Sequence, residues 1–243
     1  MTEQEIKSMW GNEVLRIGKI CGKYEKGGIE SLTKEEIDEL VRRKLIELPK
    51  PKFPDNLPDE FQGLDFEFVE RLGIYVAKKR TLFDKTFNDS DKILKENNAR
   101  MLYSNEFVGY LKYKKENDAD LFNEITEVRE PWRSEWIGAR YEKRKEGMFD
   151  VYRGRNVKLE NYLKENKTPG IDLNEWIENP NEQGLPREDI SKGKLYSWPP
   201  SNGRVGGFIA GSDGVNFGGD GDPSCSYSSH GVRVVFEAGG KAR

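Results

Sequence analysis

One segment near the end of the chain differs sharply in composition from everything before it. Residues 204–236 read RVGGFIAGSDGVNFGGDGDPSCSYSSHGVRVVF and contain no Lys, Glu, Gln, Met or Trp. The same five residue types make up about three in ten of residues 1–203, so chance is a poor explanation. A glycine-serine loop that excludes long side chains by packing is the simplest alternative. It accounts poorly for the missing Lys and Glu, because exposed loops ordinarily accept both.

The overall composition excludes several function classes. The 243 residues suffice for one large domain, or for one domain with an appendage. The 40 basic and 43 acidic residues give a net charge of −3, so no overall field favours nucleic acid or an anionic membrane. The first residues lack the pattern of a signal peptide, and no apolar run reaches the length of a membrane span. We therefore predict no nucleic-acid partner and no membrane insertion. The location stays unknown, with virion-associated and cytoplasmic as the candidates.

The first 60 residues predict a small helical N-terminal region that ends in a proline-rich linker. Apolar residues recur at helical spacing from Ile6 to Ile20, and Thr33 with Glu36 forms the pattern of a capping box. The linker reads ELPKPKFPDNLPDE, whose prolines exclude a helix interior. We place the second domain at residues 61–243.

Residues 61–243 mix helical and strand patterns without βαβ alternation, which predicts an α+β fold. SNEFVGYLKYKKEN is typical of an amphipathic helix, and LNEWIENP of a short helix that ends at Asn179-Pro180. PWRSEWIGARYEKRKEGMFDVYRG predicts a hairpin, and GVRVVFEA predicts a strand. GLDFEFVERLGIYVAKKRTLF predicts a strand, or a strand followed by a helix.

Signals for catalysis are weak. His230 is the only histidine, no GxSxG motif is present, and a lone histidine among serines is usually a surface residue. The carboxylates of Glu127, Glu130 and Glu135 cluster near two tryptophans, but in so acidic a chain such a cluster usually lies on a solvated face. We predict that the protein is not an enzyme and has no catalytic residues and no cofactor.

The motif FGGDGDP resembles fragments of glycine-aspartate calcium loops. Asp213, Asn216, Asp220 and Asp222 could supply oxygen ligands. The spacing does not fit an EF-hand, and the motif does not repeat as a calcium β-roll requires. We therefore predict a turn with solvated aspartates and no metal site.

The genetic code offers an explanation for the missing residue types. If both adenines of an AAC or AAT codon are replaced by any base, fifteen amino-acid types can be reached. Lys, Glu, Gln, Met and Trp cannot be reached, and these are the five types that residues 204–236 lack. The composition therefore indicates adenine-directed mutagenesis of this segment.

The segment also resembles a known family. It is similar to the C-terminal variable region of the target proteins of diversity-generating retroelements, most closely the phage and archaeal-virus type. The upstream stretches EPWRSEWIGARY and GLPREDISKGKLYSWPPSNGRV resemble the scaffold of such proteins, so the likeness covers about the last half of the chain. The matching fixed positions are Arg204, Val205, Phe208, Ala210, Ser212, Pro223, Ser226, Gly231, Val232 and Arg233.

The resemblance implies a C-type lectin-like fold that displays variable residues as a ligand-binding surface. Val215 and Phe217 would join the fixed positions as buried residues. The chain departs from the family pattern at Gly207, Gly214 and Gly219, where relatives often carry arginine, arginine and cysteine. The implied ligand-binding, variable positions are Ile209, Gly211, Asp213, Asn216, Gly218, Asp220, Gly221, Ser224, Cys225, Tyr227, Ser228, Ser229 and His230.

Strand geometry suits this division. Along FIAGSDGVNF inward and outward positions alternate, so Phe208, Ala210 and Ser212 are predicted to face the fold while their neighbours vary. Tyr, Ser, Gly and Asn are also the residue types of adaptable binding surfaces. Residues 204–236 are rich in Gly and Ser and contain one Tyr. This composition predicts a shallow, weakly adhesive surface.

Three functions compete. The first is a variable binding protein whose ligand is an unknown protein or surface and whose oligomeric state is open. The second is a fixed structural or adhesion protein of a virion or surface, with a calcium-supported Gly/Asp loop. The third is an enzyme of the formylglycine-generating type, which shares the C-type lectin fold but uses a close cysteine pair. Cys21 and Cys225 lie in very different regions, which argues against the enzyme. We favour the variable binding protein over both alternatives, because it explains the missing residue types.

Overall fold

The computed structural model describes residues 57–238 without a gap, together with residues 17, 20, 23, 26, 31–33, 35–36, 39–40 and 53–54. The chain divides into two compact units, Met1–Pro51 and Lys52–Arg243. The sequence predicts this division near residue 60.

The described residues of the first unit are partly helical. Thr33 and Glu36 exchange two hydrogen bonds: the Glu36 N–H donates to Thr33 Oγ1 at 3.3 Å, and the Thr33 N–H donates to Glu36 Oε2 at 3.0 Å. The predicted capping box is therefore confirmed. Most of the predicted first helix and residues 47–52 and 55–56 of the linker lie outside the described residues.

The second unit is α+β, as predicted. Its α-helices are α1 (Phe87–Glu96), α2 (Ser104–Asn117), α3 (Ala119–Thr126) and α4 (Leu173–Glu178). Its strands are β1 (Phe66–Val69), β2 (Ile74–Ala77), β3 (Arg100–Met101), β4 (Arg133–Arg144), β5 (Gly147–Asp150), β6 (Val157–Lys158), β7 (Lys167–Ile171), β8 (Leu195–Trp198), β9 (Val205–Gly211), β10 (Gly214–Gly221), β11 (His230–Val232) and β12 (Val234–Glu237).

The strands form two sheets. The smaller sheet has the order β1-β2-β12-β3 and is antiparallel. The larger sheet has the order β6-β5-β4-β9-β10-β8-β7, and β11 pairs with β4 in addition. The pairs β8–β10 and β4–β11 are parallel, and the other pairs of this sheet are antiparallel. The hairpin β9–β10 thus lies at the centre of the larger sheet, between β4 and β8.

Aromatic packing holds the inner side of this hairpin. Phe208 lies with its ring centroid 5.2 Å from that of Phe107 on α2, and Phe217 lies 4.8 Å from Trp176 on α4. The Trp176 indole N–H donates to the Gly184 carbonyl at 3.1 Å, so this buried polar group is paired. Two helices, α2 and α4, therefore pack against the inner side of the β9–β10 hairpin and hold it in place.

The local sequence patterns predicted most of these elements correctly. The helix α2, the hairpin β4–β5 and the short helix α4 are confirmed. The segment GLDFEF… forms the hairpin β1–β2, so a strand followed by a helix is wrong. The predicted strand GVRVVFEA is split at Arg233, because β11 pairs with the larger sheet and β12 with the smaller one.

Candidate functional site

The outer side of β9–β10 is the candidate site. Ile209 lies opposite Asn216, and Gly211 lies opposite Gly214. Directly opposed residues in a pair share one side of the sheet, and the next residue along each strand points to the other side. The inner side carries Phe208, Ala210, Val215 and Phe217, and all four are buried.

Two neighbouring strands extend this outer side. On β4, Ser134 pairs with Ile209 and Trp136 with Gly207. On β8, Tyr196 pairs with Asn216 and Trp198 with Gly218. We call the outer side of these four strands the hairpin face. Its two central strands, β9 and β10, contribute mostly glycines, and aromatic side chains from β4 and β8 flank them. Its members are Ser134, Trp136, Tyr196, Trp198, Gly207, Ile209, Gly211, Gly214, Asn216 and Gly218.

Four rings form an aromatic cluster at the β4 edge of the hairpin face. His230 lies 4.5 Å from Trp136, 5.2 Å from Tyr227 and 5.7 Å from Trp132 between ring centroids. Trp132 and Tyr227 lie 5.8 Å apart and are 37% and 48% exposed. Since Trp136 and His230 are buried, they support two rings that solvent and a ligand can reach.

The structure brings most of the predicted variable residues to this side of the domain. The exposed ones are Asp213, Asp220, Ser224, Tyr227 and Ser228. The half-buried ones are Ile209, Gly211, Asn216, Gly221, Cys225 and Ser229. Gly218 and His230 are buried.

Three expectations need correction. His230 is not a surface residue, because the three rings of the aromatic cluster enclose it. Gly218 is buried on the hairpin face opposite Gly207, and a Cβ there would lie 3.0 Å from Asp220 Oδ1. Ser212 does not face the fold: it lies exposed in the two-residue turn between β9 and β10, where strand alternation no longer applies. The fixed position Ser226 is likewise exposed.

The loop between β10 and β11 is organised by Asp222. Its carboxylate accepts hydrogen bonds from the Ser224 hydroxyl at 2.6 Å and the Ser224 N–H at 2.9 Å, and it pairs with Arg204 at 2.8 Å. The hydrogen bonds from Ser224 lower the pKa of Asp222 most, the hydrogen bond from Arg204 lowers it further, and the resulting pKa is about 2. Within the described residues, no three His, Cys, Asp or Glu side chains are arranged to hold a metal ion.

The surroundings of His230 do not form a catalytic triad. Burial, and then the positive charge of Arg80, lower the pKa of His230 to about 4, so the ring is neutral at pH 7. Arg80 Nη1 donates to the Ser134 carbonyl at 2.6 Å and the Ser229 carbonyl at 2.7 Å. In the described part of the chain, His230 Nδ1 has no hydrogen-bond partner. A general base needs a carboxylate or carbonyl to orient it, and none is bonded here.

We expect His230 to make folding stability depend on pH. Its pKa lies below the ordinary value of 6.5, so the unfolded chain binds a proton more readily between pH 6.5 and 4. The free energy of unfolding should therefore fall as the pH drops from 6.5 to 4. In His230→Phe, which keeps an aromatic ring, that part of the loss should vanish. Urea unfolding of both proteins at a series of pH values measures the difference, and parallel curves would contradict the assignment.

Glu135 lies on the inward side of β4 and is fully buried, so its predicted place on a solvated face is wrong. Its Oε2 accepts hydrogen bonds from Arg133 Nη2 at 3.0 Å and Arg233 Nη2 at 3.2 Å. Burial by itself would raise the pKa of Glu135, but the charges of Arg233, Arg133 and Arg80 hold it below the ordinary value. Arg233 also donates to the Ala77 carbonyl at 3.0 Å. Arg233, which the resemblance marks as a fixed position, thus links the two sheets beneath the site.

The glycines of the hairpin differ in the space around them. A Cβ at Gly207 or Gly211 would lie 3.7 Å or 3.5 Å from its nearest neighbour, which is ordinary contact. At Gly219 it would lie 2.6 Å from Pro200 N, and at Gly221 2.9 Å from the Val205 carbonyl oxygen. The cysteine that the family pattern would place at position 219 therefore has no room here, whereas a side chain at position 207 has room.

The aromatic frame of the hairpin face was not predicted from the sequence. Trp136 and His230 meet although they are far apart in sequence. The pair Tyr196 and Trp198 shows the period-2 spacing of a strand, and its ring centroids lie 6.0 Å apart. That spacing in KLYSWPP was the available signal.

Comparison with known proteins gives no further assignment. No protein-family model matches the chain, and neither a curated protein nor a solved structure matches it. None of the described helices has the length and apolar character needed to cross a membrane.

Proposed function

We propose that the protein is the variable, ligand-binding protein of a diversity-generating retroelement, with a C-type lectin-like domain and the hairpin face as its binding surface. One observation carries the proposal. Most residues that the resemblance marks as variable lie on the outer side of β9–β10 or in the loop before β11, and most of those marked as fixed are buried.

This arrangement suits a surface whose sequence changes repeatedly. Substitutions at exposed positions usually change the free energy of unfolding by less than about 0.5 kcal/mol, whereas core substitutions are far more disruptive. The constant part of the surface comes from Trp132, Tyr196 and Trp198, with buried Trp136 behind them, and all four lie outside residues 204–236. Tyr227 adds contact area, and the serines add adaptable hydrogen bonds. With one Tyr among Gly and Ser, we expect affinity weaker than nanomolar.

The deciding experiment is to sequence the DNA that flanks the coding region. A second, near-identical copy of the segment encoding residues 204–236 should be present. It should differ from the gene only where the copy has adenine, and a reverse-transcriptase gene should lie nearby. If neither is found, the proposal is wrong and the segment is a fixed loop. Calcium titration of the folded protein would then test a structural role, since a bound ion raises stability.

Gly211 and Gly221 are both predicted variable positions, but only Gly211 has room for a Cβ. Substituting each of them tests whether that room decides which positions can vary. Gly211→Ser should change the free energy of unfolding by less than about 0.5 kcal/mol. Gly221→Ser should lower it by about 1–3 kcal/mol, because its Cβ would press on the Val205 carbonyl and the Trp136 ring. Urea unfolding measures both. Equal effects would show that space around the backbone does not decide which positions can vary.

A further inference from the structure

A cleft opens beside the hairpin face, at the turn between β9 and β10. Its volume is about 670 Å³, within the range of about 300–1,000 Å³ that is usual for ligand sites. Its apolar lining includes Val128, Pro169, Leu173 and Val215. Val128 is 56% exposed, so part of this apolar surface faces solvent. The cleft can therefore bury an apolar group of a ligand.

The charged groups of the cleft favour a positive ligand. Asp172, Asp213 and Lys194 line it, which gives two carboxylates against one ammonium. In the part of the chain that the structure describes, none of the three forms an ion pair with another side chain. Asp172 Oδ1 accepts the Glu175 N–H at 2.8 Å and caps α4. Its second carboxylate oxygen therefore remains available to a cation.

The cleft adjoins the hairpin face at Tyr196. Tyr196 lines the cleft and also belongs to the hairpin face through its pairing with Asn216. Its ring lies against Gly214, where a Cβ would come within 2.9 Å of Cε2. Asp213, one of the predicted variable residues, is exposed at the edge of the cleft. A ligand on the hairpin face can thus extend into the cleft past residue 213.

We propose that this cleft binds a basic peptide segment of the protein ligand, an apolar side chain next to a lysine or arginine. The apolar side chain contacts Val128 and Leu173, and the cation lies between the carboxylates of Asp172 and Asp213. The identity of the partner as a protein ligand rests on the proposed function, whereas the cleft and its charges do not. Because residue 213 varies under that function, diversification would change the charge preference of a cleft that is otherwise constant.

Two blocked dipeptides test the proposal on the full chain. Acetyl-Leu-Lys-amide and acetyl-Leu-Glu-amide are titrated into ¹⁵N-labelled protein, and the NMR shifts of the Gly193 and Gly214 amides are followed. The lysine peptide should shift both amides and bind about fivefold more tightly than the glutamate peptide, as expected for two exposed ion pairs. In Asp172→Asn/Asp213→Asn this preference should vanish. Asn also caps helices well, so α4 should be retained.

A matched control is Asp84→Asn. Asp84 is exposed and lies outside the cleft, and its φ of 57° is one that Asn adopts readily. This variant should leave the preference intact. The single variant Asp213→Asn changes an exposed turn, and it should reduce the fivefold ratio of lysine-peptide to glutamate-peptide affinity by at least half. It replaces the double variant in the test if the double variant does not fold. Equal binding of both peptides, or shifts confined to other regions, would overturn the proposal. Absence of a repeat in the flanking DNA would overturn the proposed function alone.

Discussion

Replacing Phe208 by alanine should lower the free energy of unfolding by about 3–5 kcal/mol, whereas Ile209→Ala should lower it by no more than about 1 kcal/mol. Phe208 has no exposed surface and packs on Phe107 and on Trp176, whose ring centroid is 6.3 Å away. Truncation would leave a cavity between the hairpin and two helices. Ile209 is the next residue along β9 and lies half-buried on the hairpin face.

Urea unfolding at pH 7 measures both changes. The m value, which is the slope of the unfolding free energy against urea concentration, should be the same for the two variants and the natural protein. The two residues are neighbours in sequence, so a local effect on β9 would appear in both. Similar losses for the two variants would contradict the division of β9 into a core side and a binding side. The assignment of the variable positions to a surface would then fail with it.

Local patterns predicted the parts of the fold that depend on neighbouring residues. The helix α2 and the hairpin β4–β5 follow from apolar spacing within fewer than 25 residues. The inward positions Phe208 and Ala210 follow from period-2 alternation in the same way. Alternation failed at Ser212, because the strand ends one residue earlier at Gly211.

Contacts between distant parts of the chain were beyond such patterns. Glu135 looked like part of a solvated acidic cluster, yet Arg233 neutralises it from a position 98 residues away. His230 looked like a surface residue, but Trp132 and Trp136 cover its ring. Each burial depends on a strand pairing, β11 with β4, that leaves no local mark in the sequence.

The candidate site combines both kinds of information. The codon argument and the family resemblance predict a set of variable residues, and the flanking DNA is what tests that prediction. The sequence did not predict that Trp132 and Trp136 support Tyr227 and His230, nor that a cleft lies beside Asp213. These features arise where β4, β8 and the β9–β10 turn meet, and only the sheet order brings those segments together.

Replacing Glu135 by glutamine should lower the free energy of unfolding at pH 7 by about 3–5 kcal/mol, the usual effect of removing one partner from a buried ion pair. Glutamine keeps the shape of the side chain and a hydrogen-bond acceptor, but it removes the negative charge that, among the residues the structure describes, Arg133 and Arg233 share. Both guanidinium groups are buried, so water cannot replace that charge.

The effect should depend on pH in a defined direction. The folded-state pKa of Glu135 lies below its ordinary value of 4.5. Its contribution is therefore complete above that value and disappears as the pH falls through the folded pKa. The difference between the natural protein and Glu135→Gln should narrow in the same range. Urea unfolding at pH 7 and at several acidic pH values measures it.

The matched control is Glu142→Gln on the same strand. Glu142 pairs with Arg144 at 2.7 Å, but its side chain is 49% exposed, so its loss should matter by less than about 0.5 kcal/mol. If the two variants lose equal stability, the charge of Glu135 does not hold the two sheets together. In that case packing alone supports the hairpin face. If Glu135→Gln fails to fold while Glu142→Gln is unaffected, then the more distant carboxylate of Glu124, 3.9 Å from Arg133, cannot replace Glu135, and the hairpin face depends on the buried charge beneath it.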